Sequence, residues 1–242
     1  LKLLEKKIKF FCEEEKISGF ESRLITDSAP LLEKAVAEKA GLGWIGKNTL
    51  LINKTSGSYF FLGEILTNLP LAEKGKEQPN QCGKCQACIK TCPTQAIRAP
   101  YTLDAKRCIS YLTIENRGPI PEEYRKPLGN RIFGCDDCQL VCPWNRYAKH
   151  NSENDFKPRH GLDNEELERL FLWSEEEFNE KTAGSAIKRA GYEGWLRNIA
   201  VALGNAEKNL KIANVLLQKK GLSSLVDEHI NWALNQHYKD PI

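Results

Sequence analysis

The sequence contains no methionine and no apolar run approaching 18 residues, so a membrane-spanning helix is excluded. Leu1–Phe11 carries too many lysines among its apolar residues to be the core of a signal peptide. Net charge is also scarce. Thirty-five Lys and Arg stand against 32 Asp and Glu, a formal +3, and overall charge therefore gives no argument for nucleic-acid binding. A dinucleotide fingerprint is missing as well. Gly41-x-Gly43-x-x-Gly46 has the spacing, but it closes a helix and leads into a strand, the reverse of the required context. A chain that starts at Leu1 and lacks Met is expected to be a piece of a longer protein. What is present is enough to fold. The 41% hydrophobic content excludes global disorder, and 242 residues allow one large domain or two to three small ones.

The chemistry concentrates in nine cysteines, eight of them between Cys82 and Cys142. A secreted disulfide scaffold would be short and would spread its cysteines; this pattern points to thiolate-bound metal in a reducing compartment, the cytoplasm. Cys82-x2-Cys85-x2-Cys88-x3-Cys92-Pro93 is the bacterial ferredoxin run. Three cysteines two residues apart wrap a loop around one cubane, and the fourth, followed by Pro, heads a helix that aims its sulfur at a second cluster. Cys135-x2-Cys138-x3-Cys142-Pro143 supplies the matching half, with Cys108 standing in for its first cysteine. The ligand sets are then Cys82, Cys85, Cys88 and Cys142 for cluster 1, and Cys92, Cys108, Cys135 and Cys138 for cluster 2. Structural zinc prefers paired C-x2-C knuckles separated by a longer loop, and three cysteines in seven residues crowd a tetrahedral site. Cys12, on the apolar side of a helix, reads as a buried small hydrophobe.

Composition divides the chain into three segments, residues 1–75, 76–149 and 150–242. The first mixes helix and strand. Leu1, Leu4, Ile8 and Phe11 fall at helical spacing, Ser22–Thr26 reads as a strand, and Ser28-Ala29-Pro30 reads as a helix start that Gly41 ends. Thr49–Asn53 and Ser58–Leu66 read as a hairpin around Lys54-Thr55-Ser56-Gly57. Glu73–Asn80 is a polar linker. The last segment reads as short helices joined by tight turns. Asp163 with Glu166 and Ser174 with Glu177 have capping-box spacing there, and Trp195–Leu203, Leu210–Lys220 and Ser224–His237 are its apolar stretches. Charge sorts too, with eight acids in Gly161–Glu180 and eight bases in Lys181–Lys220. Solvated helix faces explain this, or a basic groove for an anionic polymer.

Asp27 sits where a strand meets a helix. It is either a helix cap or a carboxyl group used as a proton donor, a role that burial would favour by raising its pKa. His150 and His160 fall in a polar connector. Asp227-x-His229 has the first half of an Asp-x-His-x-x-Gly cobalamin-ligand pattern, but Trp232 replaces its Gly, so His229 reads as a surface or core residue.

Longer runs carry a resemblance: Asp27-Ser28-Ala29-Pro30, Ala37–Trp44, Cys108–Glu115, Asn130–Gln139, Cys142-Pro143-Trp144-Asn145 and Trp195–Asn205. Together they resemble the epoxyqueuosine reductase family, itself related to the corrinoid reductive dehalogenases, and the resemblance covers essentially the whole chain. It implies an α+β chain: a partial α/β cobalamin-binding domain over 1–75, a two-cluster bacterial ferredoxin-like domain over 76–149, and an all-α HEAT-like, tRNA-binding domain over 150–242. The implied activity is cobalamin- and iron–sulfur-dependent reduction of epoxyqueuosine to queuosine at the wobble position of tRNA. Two [4Fe–4S] clusters would pass electrons to the cobalt, and Asp27 would protonate the departing oxygen. Corrin contacts are expected from Leu51, Leu62, Ser110, Cys135 and Asp136, together with a preceding part of the protein. Phosphate contacts to tRNA are expected from Lys188, Arg189 and Arg197. The implied partners are tRNA with a GUN anticodon carrying epoxyqueuosine and an external low-potential electron donor, with the enzyme a cytoplasmic monomer away from membranes. Two rivals use the same cysteines: a two-cluster electron-transfer module with no catalytic acid, and a corrinoid reductive dehalogenase.

Overall fold

A computed structural model describes residues 1–72, 75–149 and 151–238; Glu73 of the expected linker and His150 of the connector lie outside the described residues. The chain forms two compact units, which do not coincide with the three compositional segments. The first comprises Leu1–Cys88, Ala99–Thr102 and Gln139–Lys149; the second comprises Ile89–Arg98, Leu103–Cys138 and His150–Ile242. Each unit thereby contains one complete four-cysteine set.

The first unit opens with α1 (Lys2–Glu14), whose Cys12 is buried at 2% exposure, as a small hydrophobe should be. β1 (Ser22–Ile25) pairs antiparallel with β4 (Glu64–Thr67), setting Ile25 opposite Glu64. Between them lie α2 (Glu33–Lys39), β2 (Trp44–Ile45) and β3 (Leu51–Ile52), with β2 and β3 antiparallel. Gly41 ends α2 as expected. With φ at 74° it lets its own N–H reach Glu38 O and the Leu42 N–H reach Ala37 O, closing the last turn. Both strand pairs are antiparallel and two-stranded, and they mix with α1 and α2 in this unit.

Two local expectations fail in this unit. The helix after Asp27 begins at Glu33, not at Ser28-Ala29-Pro30, because 28–32 bends, with the Leu31 N–H on Ala29 O. The 49–66 hairpin does not form. Asn53 and Gly57 bridge, and the Asn53 carboxamide oxygen gathers the N–H groups of Thr55 and Ser56, but the ladder stops at Ser58. The Ser58 N–H goes instead to Asn145 Oδ1 at 2.6 Å. β3 and β4 are left to pair with other strands.

α3 (Ala87–Thr91), β5 (Ile97–Ala99) and β6 (Thr102–Leu103) follow, then α4 (Ile109–Ile114), α5 (Glu122–Leu128) and α6 (Asp137–Leu140). The second unit is completed by α7 (Leu167–Leu172), α8 (Glu175–Lys181), α9 (Tyr192–Gly204), α10 (Leu210–Leu217) and α11 (Ser224–Tyr238). α9 is buried along nearly its whole length and forms the axis of the core. Trp195 stacks on Trp173 at 5.6 Å, and its indole N–H donates to Leu170 O. Ser174 and Glu177 form the expected reciprocal capping box on α8. Asp163 caps nothing: α7 starts at Leu167, after Glu166. Among the described residues no helix is long and apolar enough to cross a membrane.

His229 lies in this core, fully buried. Its Nε2 accepts the Ile120 N–H at 3.0 Å, and its Nδ1 faces Leu225 O at 2.7 Å, a pairing that requires the neutral ring with the proton on Nδ1. Burial pushes the imidazole pKa down to about 4. Protonation therefore favours the unfolded chain. This contribution to stability is complete above the ordinary histidine value and is lost as pH falls toward 4, amounting to about 3 kcal/mol. Denaturant titrations followed by tryptophan fluorescence should show that loss, and His229→Leu should remove this part of the pH dependence. An identical slope in the variant would contradict the assignment.

Candidate iron–sulfur centres and the acidic loop

Cys82, Cys85, Cys88 and Cys142 border one cavity of about 200 Å³ in the first unit, walled by Ile52, Ala87, Pro143 and Trp144. Among the described residues, no three His, Cys, Asp or Glu side chains crowd together as around a single metal ion; these thiols instead ring a space. The local run is shaped by residues outside it. Asn80 accepts the Cys82 N–H at 2.9 Å while its amide donates to Ile45 O. Lys47 Nζ donates to Gly83 O at 2.7 Å and to Cys85 O at 2.8 Å, closing the loop from the strand side.

The fourth thiol is delivered by a separate clasp. Asn145 donates to Gln139 O at 2.7 Å, and its Oδ1 accepts the Ser58 N–H. Ser58 Oγ reaches Gln139 Oε1 at 2.8 Å. Gly57, at φ 69°, is required here, because any Cβ would collide with the Asn145 side chain. Burial pushes the Cys142 thiol pKa up, and the neighbouring Cys82 and Cys85 push it the same way. Neutral thiols suit an apolar pocket, whereas bound iron favours the thiolates.

The second set is built in the other unit. Cys92 Sγ accepts the Ala96 N–H at 3.2 Å, and Thr94 O accepts from Arg107 Nε, which ties the Cys92 turn to the residue before Cys108. Cys108 heads α4. One turn on, Ser110 Oγ accepts the Cys135 N–H at 3.0 Å, and Thr113 Oγ1 accepts the Gly134 N–H at 2.9 Å. Asp137 pairs with Arg131 at 2.7 Å and steadies the turn that carries Cys138. Burial again raises the Cys135 thiol pKa. The arrangement is anchored to α9, where Asn198 donates to both Thr113 O and Ile132 O.

Arg197 is a correction. Expected on a tRNA face, it is 1% exposed and donates to Leu112 O, Asn116 O and Gly118 O. Burial, with Arg117 nearby, pushes its pKa down to about 10, so it stays charged at neutral pH, but its hydrogen bonds are spent inside the unit. Lys188 and Arg189 are exposed on the turn at 186–190, with Arg189 reaching Glu115 at 2.8 Å. Leu51 was expected to contact the corrin. It is buried at 4% exposure as core and borders none of the described cavities. Leu62 borders two adjoining cavities of about 570 and 800 Å³ in the first unit. Asp136 is exposed, and Ser110 and Cys135 are bonded to each other in the second unit.

Asp27 stands on the rim of the larger of these cavities with Glu33, Lys34 and Tyr101. It caps no helix. Its φ is 52°, its side chain is exposed rather than buried, and its N–H donates to Glu33 Oε1 at 2.8 Å. Glu33 is in turn engaged by Glu64, whose Oε2 is buried with no partner. Lys47, Ser58, Asn145 and Asn198 had no role assigned from sequence. The one available signal was that Asn145 and Asn198 fall inside the runs that carry the resemblance.

The fold and the paired thiol sets define a double-cluster iron–sulfur protein. Residues 81–145 match the 4Fe-4S double cluster binding domain. The chain is 55% identical over 98% of its length to the epoxyqueuosine reductase of Pseudomonas aeruginosa, covering 66% of that protein. It is 52% identical over 98% of its length to that of Xanthomonas campestris pv. campestris, covering 67%. Two solved structures superpose closely. An epoxyqueuosine reductase with a tRNA-Tyr epoxyqueuosine-modified stem loop gives a TM-score of 0.87 at 30% identity, over 98% of this chain and 64% of that one. The Bacillus subtilis epoxyqueuosine reductase with its catalytic aspartate loop swung out of the active site gives 0.85 at 31%, over 98% and 63%. The chain belongs to the epoxyqueuosine reductase family. It spans about two thirds of the length of these proteins.

Two outcomes follow from this geometry. Burial, then the like charges of Glu33 and Asp27, hold the Glu64 carboxyl above its ordinary pKa. Glu64 therefore ionises at a higher pH than an ordinary glutamate, and its ionisation sets like charges side by side and loosens the Asp27 loop. The hydrogen-exchange protection factor of the Asp27 amide should fall with rising pH and become pH-independent in Glu64→Gln; equal pH dependence in both proteins would contradict this. Arg197→Met leaves three carbonyls without their donor and should cost about 3 kcal/mol or more in thermal unfolding. Full stability with lost tRNA binding would return Arg197 to the nucleic-acid face.

Proposed function

We propose that the full-length protein reduces epoxyqueuosine to queuosine at the wobble position of tRNA, and that this chain supplies its cluster ligands, its proton donor and a tRNA-facing helical part. Family membership supports the reaction class, and the stem-loop complex of a relative supports tRNA as substrate. The observation that carries the reading is Asp27. An electron carrier needs no acid, yet Asp27 stands exposed on a loop at the rim of a large cavity in the unit that also holds the first cysteine set. The catalytic aspartate loop of the Bacillus subtilis relative, which swings out of its active site, supports such a mobile donor here.

Cobalamin belongs to this proposal. The two adjoining cavities share walls of Leu31, Phe60, Phe61 and Leu62, and Phe61 is 80% exposed, an apolar surface suited to the face of a large ring. Leu62 is the contact we retain on these walls, and Ser110, Cys135 and Asp136 remain candidates. When bound, the clusters and the corrinoid supply the low-potential electrons for breaking the C–O bond. The chain's own part is acid–base. An epoxide oxygen leaves poorly as an alkoxide, so the Asp27 carboxyl delivers a proton to it as the bond breaks. General-acid assistance of this kind contributes about 10²–10⁴-fold, about 3–5 kcal/mol. Lys188 and Arg189 are the remaining candidates for phosphate contacts on a tRNA with a GUN anticodon, in a HEAT-like domain of a cytoplasmic monomer served by an external electron donor.

Asp27→Asn tests the donor, because Asn tolerates the left-handed backbone found at this position. In the full-length protein loaded with its cofactors, turnover on epoxyqueuosine-containing tRNA should fall by about 10²-fold or more, with iron content retained. Normal turnover would remove Asp27 from the chemistry.

A further inference from the structure

The two cysteine sets differ in how near they come to solvent. Of the eight, Cys85 alone is exposed; the other seven are half-buried. Charge differs as well. The stretches around the first set, residues 78–88 and 139–149, carry Lys84, Arg146 and Lys149 and no acid, whereas those of the second set carry both signs. Lys84, Arg146 and Lys149 are exposed, and among the described residues none of them forms an ion pair. Arg146 lies over the Tyr147 ring at 4.8 Å, and Lys47 adds a further cation at the cavity. The same 139–149 stretch presents Leu140 at 73% exposure and Tyr147 at 42%.

We infer that this face of the first unit docks an acidic one-electron carrier protein, with the Cys85 loop at its centre; the inference rests on the cluster reading above. Exposed cations in the same short stretches as exposed apolar side chains suit the limited, transient interfaces of redox encounters. Electron transfer falls off steeply with distance, so an exposed ligand marks where a donor comes nearest. In each encounter one electron leaves the reduced carrier, which is oxidised, and enters the protein on this side; a two-electron reduction of substrate takes two encounters. A tRNA phosphate backbone would also be drawn to these charges, but it has no use for the exposed Leu140 beside an exposed cluster ligand.

The test uses the full-length, reconstituted protein and a reduced flavodoxin as the acidic carrier. The double reversal Lys84→Glu with Lys149→Glu should slow cluster reduction by flavodoxin about tenfold at low salt. The gap should close near 1 M salt, where the screening length is about 3 Å. An unchanged flavodoxin rate overturns the docking surface. So does lost tRNA affinity at an unchanged flavodoxin rate, which would make this a nucleic-acid face. Wild-type protein without two clusters' worth of iron sinks the cluster reading itself, and the inference with it.

Discussion

A cubane of iron and sulfide presents four metal corners, and a seven-residue loop such as Cys82–Cys88 supplies thiols to three of them. The fourth thiol has to come from elsewhere in the chain, and most of the structure around the cysteines serves that requirement. In the first unit Cys142 is brought to the loop by Gln139 and Asn145, three residues to either side of it, and by Ser58, 84 positions before it. In the second unit Cys92 and Cys108 are tied through Thr94 and Arg107, and Cys135 is tied to Ser110. Apart from the charge-assisted bond from Arg107, these are neutral hydrogen bonds of modest individual worth, but each leaves a part-buried polar group unpaired if its partner is lost.

The second unit adds a different kind of support. α9 is an apolar core helix that carries Arg197 and Asn198 side by side, and both turn toward the segment between α4 and the Cys135 loop. The helical core and the turns of the second cysteine set thus belong to one compact unit. The compositional boundary near residue 150 does coincide with a break between the units, whereas the cysteine segment before it is divided between them.

What was legible in sequence was local and chemically strict. The division of eight cysteines into two sets follows from spacing, and the structure places each set in its own unit. Gly41, the Ser174–Glu177 box and the burial of Cys12 were readable for the same reason, since each depends on neighbours within a few residues. The failures are tertiary. Ser58 leaves the 49–66 hairpin because Asn145 takes its N–H, and Arg197 looked like a phosphate ligand because nothing nearby in sequence shows the three carbonyls it serves. Asp27 was found through the resemblance rather than through its setting. Its positive φ and the Glu33 contact appear only in three dimensions.

The crossed ligand sets can be measured directly by counting intact clusters in paired cysteine variants of the full-length protein with native mass spectrometry. If Cys82 and Cys142 hold one cubane, replacing both with Ala removes a single cluster and leaves the other whole. Replacing Cys92 and Cys142 together removes both. The account is contradicted if the Cys82, Cys92 pair leaves one intact cluster, for then each run would be serving its own cubane and the long-range clasps would have some other purpose.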